Sequence, residues 1–399
     1  MKEFLNRSYQ IIFSFFCGVV PFTDLGEAVP NVSLLLITFF FPFVVKQSDW
    51  KKINNRFYFI LFLLVLIIFI QSILVGRWED FKFIKKLILL IVILIYSIPI
   101  KNNLAPMLSF TLGSLILLVC SSINLVLFFL ISGKIDMTTG DQVASILLGD
   151  RPYVSYAFVL SFCLCIYMSN LVGKAKFLLY GAALIFFIFI FIISARISLI
   201  SLVLIILYYV FYTKNIKRVS LIIFILGVFS SIMFTFSDSL KKRFFVSSNE
   251  YTLEQIVKFE PRYYIWNCSY SVLTENKAYL MGLGFDSLNK QLETCYSNST
   301  DFMNKEQQDY FVRSKFNTHN QFLNFMLSTG ILSLLLFIFF FISWFKMGHR
   351  NYYVSILFFV IFLFCLAENI LSRQMGVELF ALTLVFSNMI SIREKKQYD

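Results

Sequence analysis

The fold of this chain is decided by long uncharged stretches, the clearest being residues 57–75, which read FYFILFLLVLIIFIQSILV. A helix needs about 20 apolar residues to cross a bilayer core of about 30 Å. Apolar residues run continuously through the stretch, whereas a membrane β-strand would place them at every second position. We therefore predict that residues 57–75 cross a membrane as a helix.

The whole composition agrees with this prediction. Of the 399 residues, 58% are hydrophobic and only 15% are charged, which excludes an ordinary soluble domain. We expect an all-α, polytopic integral membrane protein of about 12 transmembrane helices with one long periplasmic loop. The predicted spans are 9–23, 29–45, 57–75, 87–100, 104–132, 153–173, 177–195, 197–213, 219–236, 320–345, 353–370 and 376–391.

The distribution of basic residues predicts the orientation. An even number of spans puts both termini on one side, and 17 of the 35 Lys and Arg residues fall there. The short loops of the other side hold 8, and the long loop holds 10. Both termini are therefore expected in the cytoplasm, and the net charge of +12 requires no nucleic acid partner. The basic cluster 77–86 falls on the outer side, where we interpret it as an interfacial segment covering lipid headgroups.

Four units follow from this topology. They are residues 1–176 with spans one to six, 177–236 with a helical hairpin and span nine, 237–318 as the long periplasmic loop, and 319–399 with spans ten to twelve. Residues 1–22 resemble a signal peptide but lack a cleavage site, so we keep them as the first span. The span midpoints carry no Asp, Glu, Lys, Arg or His, which counts against an ion-coupled transporter.

Arg196 is the most informative charge on the outer side. It interrupts an apolar stretch from Phe177 to Tyr212, within Ser194-Ala195-Arg196-Ile197-Ser198. It could anchor a hairpin at the headgroups, but the positive-inside rule disfavours it there and no carboxylate is near in sequence. We favour a functional role.

His319 is the candidate base. It is expected in the first turn of span ten, capped by Asn317 or Thr318. The positive end of a helix favours the neutral imidazole, which can accept a proton. The alternative is a polar interface residue. The other histidine, His349, is expected on the cytoplasmic side and cannot assist.

The long loop contributes further candidates. Arg262 lies in Pro261-Arg262-Tyr263-Tyr264-Ile265-Trp266, where it could also snorkel beside the aromatic rings. Gly282-Leu283-Gly284-Phe285 lacks the third glycine and the strand of a dinucleotide loop. Cys268 and Cys295 are the two cysteines outside spans and could form a disulfide in an oxidising compartment. No Cys/His cluster predicts a metal site, and no cofactor is expected.

Three of these features occur in the same order in one family. They are Arg196 at the tip of a hairpin, Arg262 ahead of Trp266 and the Gly-x-Gly turn, and His319-Asn320-Gln321-Phe322-Leu323 followed by Thr329-Gly330-Ile331. Over about residues 180–340 the chain resembles the O-antigen ligase and O-antigen polymerase superfamily of bacterial envelope glycosyltransferases.

The resemblance implies an inverting, metal-independent glycosyltransferase of the bacterial inner membrane. Its donor would be a glycan on undecaprenyl diphosphate at the periplasmic face. In lipopolysaccharide biosynthesis, ligases pass this glycan to the lipid A core, and polymerases pass it to the next lipid-linked repeat unit. Family members use a histidine and two arginines that correspond to His319, Arg196 and Arg262.

This chemistry agrees with the residues themselves. A departing diphosphate needs cations, and the planar donors of guanidinium match phosphate oxygens. We therefore assign His319 as base, Arg196 and Arg262 as diphosphate clamps, and Arg151 as a third clamp. Arg373 is a weaker candidate.

Ligase activity is favoured over polymerase activity. The 123 positions from Arg196 to His319 hold one long loop with a single His-Asn-x-x-Leu element, as in the ligase branch. Polymerases often place two Arg-rich outer loops around the site, and here the second, 133–152, is short. Polymerase activity is the alternative. A lipid-linked glycan flippase is the second alternative, and it would predict an internal repeat and a charged central cavity.

Overall fold

We describe the protein from a computed structural model that covers residues 2–53, 56–133, 140–213, 261–298, 305–349 and 351–398. Regular structure within these ranges is helical. The helices are α1 (Lys2–Val19), α2 (Ala28–Val44), α3 (Arg56–Leu74), α4 (Phe81–Tyr96), α5 (Leu104–Ser132), α6 (Gly140–Leu147), α7 (Arg151–Ser169), α8 (Lys176–Ile193), α9 (Arg196–Thr213), α10 (Pro261–Glu275), α11 (Phe285–Asn298), α12 (Lys305–Ser314), α13 (Gln321–Thr329), α14 (Ile331–Gly348), α15 (Tyr352–Ala367) and α16 (Gln374–Tyr398). Short 3₁₀ turns include Trp78–Asp80 and Ile370–Ser372.

Six helices of the described ranges are long and apolar enough to cross a membrane. The apolar segments are Phe57–Leu74, Leu104–Ser132, Gln142–Ser169, Lys176–Ile193, Ile331–Gly348 and Gln374–Glu394. Of these, Gln142–Ser169 takes in most of α6 and all of α7. Shorter apolar helices cover Ala28–Val44, Arg196–Tyr209 and Tyr352–Ala367. The chain is therefore a polytopic helical membrane protein. The predicted span 219–236 lies outside the described residues.

Two helices form the centre of the bundle. In the apolar segment that includes α7, 89% of the residues are buried, and in that of α16, 83% are buried. In the other four segments the buried share is 22–39%. The hydroxyls of Tyr156 in α7 and Thr383 in α16 are hydrogen-bonded at 2.6 Å. Around this centre, α16 also packs on α4 and α15, and α15 packs on α9. The segment that joins α15 to α16 is consequently held from several sides.

The predicted span 320–345 is two helices, so the prediction of a single span is wrong here. Helix α13 ends at Thr329 and α14 begins at Ile331. Gly330 between them has φ +83°, a conformation that favours glycine, and a Cβ there would lie 1.9 Å from the Leu280 carbonyl oxygen. Apolar length alone could not predict the break, because its cause is the backbone of a distant segment.

Helices α10, α11 and α12 form a unit with its own small core, which we call the α10–α12 unit. A disulfide between Cys268 and Cys295 joins α10 to α11, with the sulfurs 2.08 Å apart and the Cα atoms 5.7 Å apart. The core also takes in Leu327 from α13. Its other members include Tyr264, Ile265, Val272, Leu288, Leu292, Tyr296 and Phe311. Helix α13 therefore belongs to both the α10–α12 unit and the bundle.

Candidate functional site

His319 is held in an uncommon backbone conformation just before α13. Its φ is +42°, a left-handed value that costs a non-glycine residue about 1 to 3 kcal/mol. The side-chain oxygen of Asn317 accepts the His319 backbone N–H at 3.0 Å. The indole N–H of Trp266 in α10 donates to the Thr318 carbonyl oxygen at 3.2 Å. These contacts fix the segment that carries the imidazole.

The helix cap differs from the prediction. Asn320 is the N-cap of α13, with extended backbone and a side-chain oxygen that accepts the Leu323 N–H at 3.0 Å. Neither Asn317 nor Thr318 caps the helix: Asn317 accepts the His319 N–H, and the Thr318 hydroxyl donates to Asn369 at 3.0 Å. His319 precedes the cap instead of lying in the first helical turn, so its orientation has to come from a side-chain partner.

That partner is Glu368, directly after α15. Its Oε2 lies 2.9 Å from His319 Nδ1, and its Oε1 accepts from Nη2 of Arg262 at 3.2 Å. Nη2 of Arg262 also donates to the Ala367 carbonyl oxygen at 3.2 Å. A carboxylate only accepts hydrogen bonds, so Nδ1 of His319 is the nitrogen that donates to Glu368. In the neutral imidazole the lone pair is then on Nε2. We call His319, Glu368 and Arg262 the His319 site.

The His319 site is sheltered from solvent without being sealed. The side chains of His319 and Arg262 are 25% and 29% exposed, and that of Glu368 is 12% exposed. The Glu368 carboxylate is thus the most protected of the three groups. The imidazole of His319 and the guanidinium of Arg262 both keep some access to solvent, as a site open to a substrate requires.

The segment 368–373, which we call the connector, fixes the start of α13. The side-chain oxygen of Asn369 accepts the Asn320 N–H at 2.9 Å as well as the Thr318 hydroxyl. The Leu371 N–H donates to the side-chain oxygen of Gln321 at 2.9 Å. Sequence reasoning did not assign Glu368 to the site, because its contact with His319 spans 49 positions. An acid and an amide directly after an apolar span were the available signal.

Arg373 and Arg151 lie on the connector and the element beside it. Arg373 forms an ion pair with Asp150, and its guanidinium carbon lies 5.7 Å from the ring centroid of Tyr153. The Tyr153 hydroxyl donates to the Asn369 carbonyl oxygen at 3.4 Å. Arg151 opens α7 between Asp150 and Tyr153. Both arginines are therefore at the end of the bundle that carries the connector.

Arg196 lies at this same end. It opens α9 directly after Ser194 and Ala195, and Ser194 has φ +55°. Farther along α9, the ring of Tyr208 stacks on Tyr352 at the start of α15, with centroids 5.7 Å apart. Since the two helices pack side by side and each residue adds about 1.5 Å, the start of α9 is level with the last turns of α15.

His349 is at the opposite end of the bundle. It directly follows α14, whose 18 residues are about 27 Å long. Its Nδ1 lies 3.0 Å from the Lys346 carbonyl oxygen. His349 is accordingly remote from the His319 site.

Two apolar grooves begin beside the His319 site. The first, of about 440 Å³, is lined by Trp266, Tyr270, Leu273, Asn320, Phe322, Leu323, Met326 and Leu334. The second, of about 940 Å³, shares Phe322 and Leu334 with it and continues along α14 and α15 to Phe345 and His349. Together they run from the cap of α13 toward the far end of α14. The described residues contain no group of three or more His, Cys, Asp or Glu side chains that could hold a metal ion.

The fold and the site define a helical membrane protein with a histidine–carboxylate pair and arginines gathered at one end of the bundle. Residues 181–338 match the protein family described as O-antigen ligase. This segment is roughly two fifths of the chain and includes Arg196, Arg262 and His319. The resemblance to the O-antigen ligase and polymerase superfamily is confirmed. No curated protein matches the chain.

Proposed function

We propose that the protein is an O-antigen ligase-like glycosyltransferase that moves a glycan from undecaprenyl diphosphate to the lipid A core in lipopolysaccharide biosynthesis. The contact between His319 Nδ1 and Glu368 carries the proposal, because it leaves Nε2 as a proton acceptor. A diphosphate is already a good leaving group. The enzyme then has to supply a base for the acceptor hydroxyl and cations for the departing diphosphate.

In this reaction His319 is the general base. The acceptor hydroxyl gives its proton to Nε2 while its oxygen bonds to the anomeric carbon. The bond from that carbon to the diphosphate breaks on the opposite face, so the anomeric configuration inverts. Glu368 holds the imidazole in place and stabilises the imidazolium that forms.

The arginines neutralise the diphosphate without a metal ion. Arg262 contacts Glu368 and keeps part of its surface exposed, which supports a role between the base and the donor. Arg196 and Arg151 open α9 and α7 at the same end of the bundle and are proposed as further clamps. Planar guanidinium groups bind phosphate oxygens in pairs, and a lysine does not.

The apolar grooves support a lipid-linked donor. They start beside Asn320 and follow α14, whose length is comparable to a bilayer core of about 30 Å. The diphosphate of a bilayer lipid lies at the headgroup level, the depth at which the arginines gather. A lipid-linked donor of this kind requires no nucleotide. Besides the donor and the acceptor, the proposed partner is membrane lipid.

We propose a bacterial inner-membrane location with 12 spans, both termini in the cytoplasm and the His319 site facing the periplasm. The Lys and Arg distribution supports the orientation. The disulfide in the unit of α10 to α12 supports an oxidising compartment on that side. The units of this topology are residues 1–176, 177–236, 237–318 and 319–399.

The test is a reaction with purified protein, an undecaprenyl-diphosphate glycan and a lipid A core acceptor, without nucleotide or metal. We expect the glycan–core conjugate, and we expect His319→Ala to lower its rate by about 100- to 10,000-fold. Arg313→Ala in α12, an exposed residue that lines neither groove, is the control and should keep the wild-type rate. Longer lipid-linked chains would identify a polymerase, and neither product from folded protein would favour a flippase.

A further inference from the structure

The basic cluster 77–86 has a structural role that its sequence did not predict. Arg77 lies between α3 and α4, at the start of the Trp78–Asp80 turn. Its Nη2 donates to the Gly282 carbonyl oxygen at 2.8 Å, and its Nη1 to those of Met281 and Ser328 at 3.1 and 3.4 Å. Three backbone carbonyls therefore bind the Arg77 guanidinium, and the interpretation of 77–86 as an interfacial segment stays a prediction.

Arg77 acts at the carboxyl end of α13. Ser328 is in the last turn of that helix, where carbonyl oxygens lack partners within the helix. A cation is favourable at that end because of the helix dipole. Burial lowers the pKa of Arg77, and nearby Asp80 opposes this shift.

Asp80 acts at the amino end of another helix. Its Oδ1 accepts the N–H groups of Phe285 and Asp286 at 2.7 and 3.2 Å. These residues open α11, where N–H groups lack partners within the helix. Asp80 is only 3% exposed. A single turn thus binds the end of one helix through a cation and the start of another through an anion.

The Gly282-Leu283-Gly284 turn lies against the end of α13, next to Gly330, beside the Trp78–Asp80 turn. The N–H groups of Leu283 and Gly284 donate to the carbonyl oxygens of Leu327 and Ser328, each at 2.8 Å. A Cβ on Gly282 would lie 2.3 Å from the Ser328 carbonyl carbon, so only glycine permits this approach. The Gly-x-Gly turn therefore lies across the break between α13 and α14.

Helix α13 is short, and its two ends are held by different parts of the protein. Nine residues make it about 13 Å long. The connector holds the amino end, next to His319, through Asn369. Arg77 and the turn at Gly282 hold the carboxyl end. A shift of this end moves the whole helix, and with it His319, relative to Glu368.

We propose that Arg77 and Asp80, which we call the Arg77–Asp80 clamp, are positioning residues for the His319 base. They touch neither His319 nor Glu368, and they set the place of α13 from which His319 reaches the carboxylate. This inference rests on the proposed function. A misplacement of about 1 Å at a reacting group can lower a rate about 100-fold.

The test compares Arg77→Ala and Asp80→Ala with Lys82→Ala, an exposed cation of the same cluster. Per folded molecule, we expect the first two to lower kcat by about 10- to 100-fold while the KM for the lipid-linked donor changes less than about threefold. Lys82→Ala should retain wild-type kcat. Guanidinium ion added at millimolar concentration should restore part of the kcat of Arg77→Ala.

Hydrogen exchange gives a readout that is independent of the reaction. The amides from Leu323 to Ser328 should exchange faster in Arg77→Ala, and those of α15 should not change. Wild-type kcat in Arg77→Ala would overturn the proposal, as would a raised KM with normal kcat, which would indicate a donor contact. If Arg77→Ala does not accumulate, Arg77→Lys replaces it, because it keeps the charge and loses the planar fork.

The same experiment separates failure of the clamp from failure of the proposed function. A wild-type protein that forms no glycan product would overturn the function, while the exchange rates in α13 would still decide the clamp. Unchanged exchange in α13 together with wild-type kcat would overturn the clamp alone.

Discussion

The two ends of α13 are held by similar residue types in different ways. At the amino end, Glu368 joins His319 and Arg262 through side chains that keep some exposure to solvent. At the carboxyl end, Arg77 and Asp80 bind backbone carbonyls and N–H groups, and Asp80 is almost fully buried. Contacts between side chains can change partners as charge moves during a reaction. Contacts with the backbone fix where those side chains start.

Removing the charge of Glu368 should show most clearly how the roles of the two ends of α13 differ. Glu368→Gln keeps a hydrogen-bonding group beside His319 but loses the carboxylate that stabilises an imidazolium. We expect kcat to fall by about 100-fold with normal thermal stability. The measurement is the transfer rate per folded molecule at saturating donor, together with the unfolding temperature.

The matched control for Glu368 is Glu79→Gln, an exposed carboxylate on the turn of the clamp. It should keep the wild-type kcat. An unchanged kcat in Glu368→Gln would contradict the assignment of Glu368 to His319.

These contacts also show what the sequence could predict. Apolar length located most of the spans, and motif order singled out Arg262 and His319. The break at Gly330, the cap at Asn320 and the partners of His319 and Arg77 were missed or placed wrongly. The partner contacts join positions that are 49 apart for His319 with Glu368 and 205 apart for Arg77 with Gly282. Local patterns do not record such distances, whereas apolar length is a local property.

A charge-preserving change tests Arg196, one of the residues proposed to bind the diphosphate. Arg196→Lys keeps a cation at the start of α9 and loses the paired donors of guanidinium. We expect a fall of about 10-fold in kcat/KM, mostly in KM for the lipid-linked donor. The control is Arg313→Lys in α12, in the α10–α12 unit. Equal rates for wild type and Arg196→Lys would remove Arg196 from the diphosphate site.

Changing Asp80 in two ways should also show how much the contacts at the carboxyl end of α13 contribute to stability. Asp80→Ala leaves the N–H groups of Phe285 and Asp286 without their acceptor, at a cost of about 1 to 3 kcal/mol. Asp80→Asn retains an oxygen that can accept both, so it should unfold close to the wild-type temperature. Thermal unfolding in detergent measures the difference. Similar unfolding temperatures for Asp80→Ala and wild type would show that these bonds contribute little.

The smallest expected effect is a pH dependence at Asp80. Burial raises the pKa of this carboxyl group, and its bonds to two N–H groups and the charge of Arg77 only partly oppose the shift. The folded protein therefore binds the Asp80 proton more tightly than the unfolded chain does. Stability from this group is present below the ordinary pKa of about 3.9 and is lost as pH rises through the raised value.

Asp80→Asn does not titrate at this position, so the comparison isolates the effect. Going from about pH 3.5 to about pH 6.5, the unfolding temperature of wild type should fall relative to that of Asp80→Asn. Other titrating groups, including neighbouring Asp286, are present in both proteins and largely cancel. A difference that stays constant, or that grows in favour of wild type, would mean that the two N–H bonds and Arg77 outweigh burial at the carboxyl end of α13.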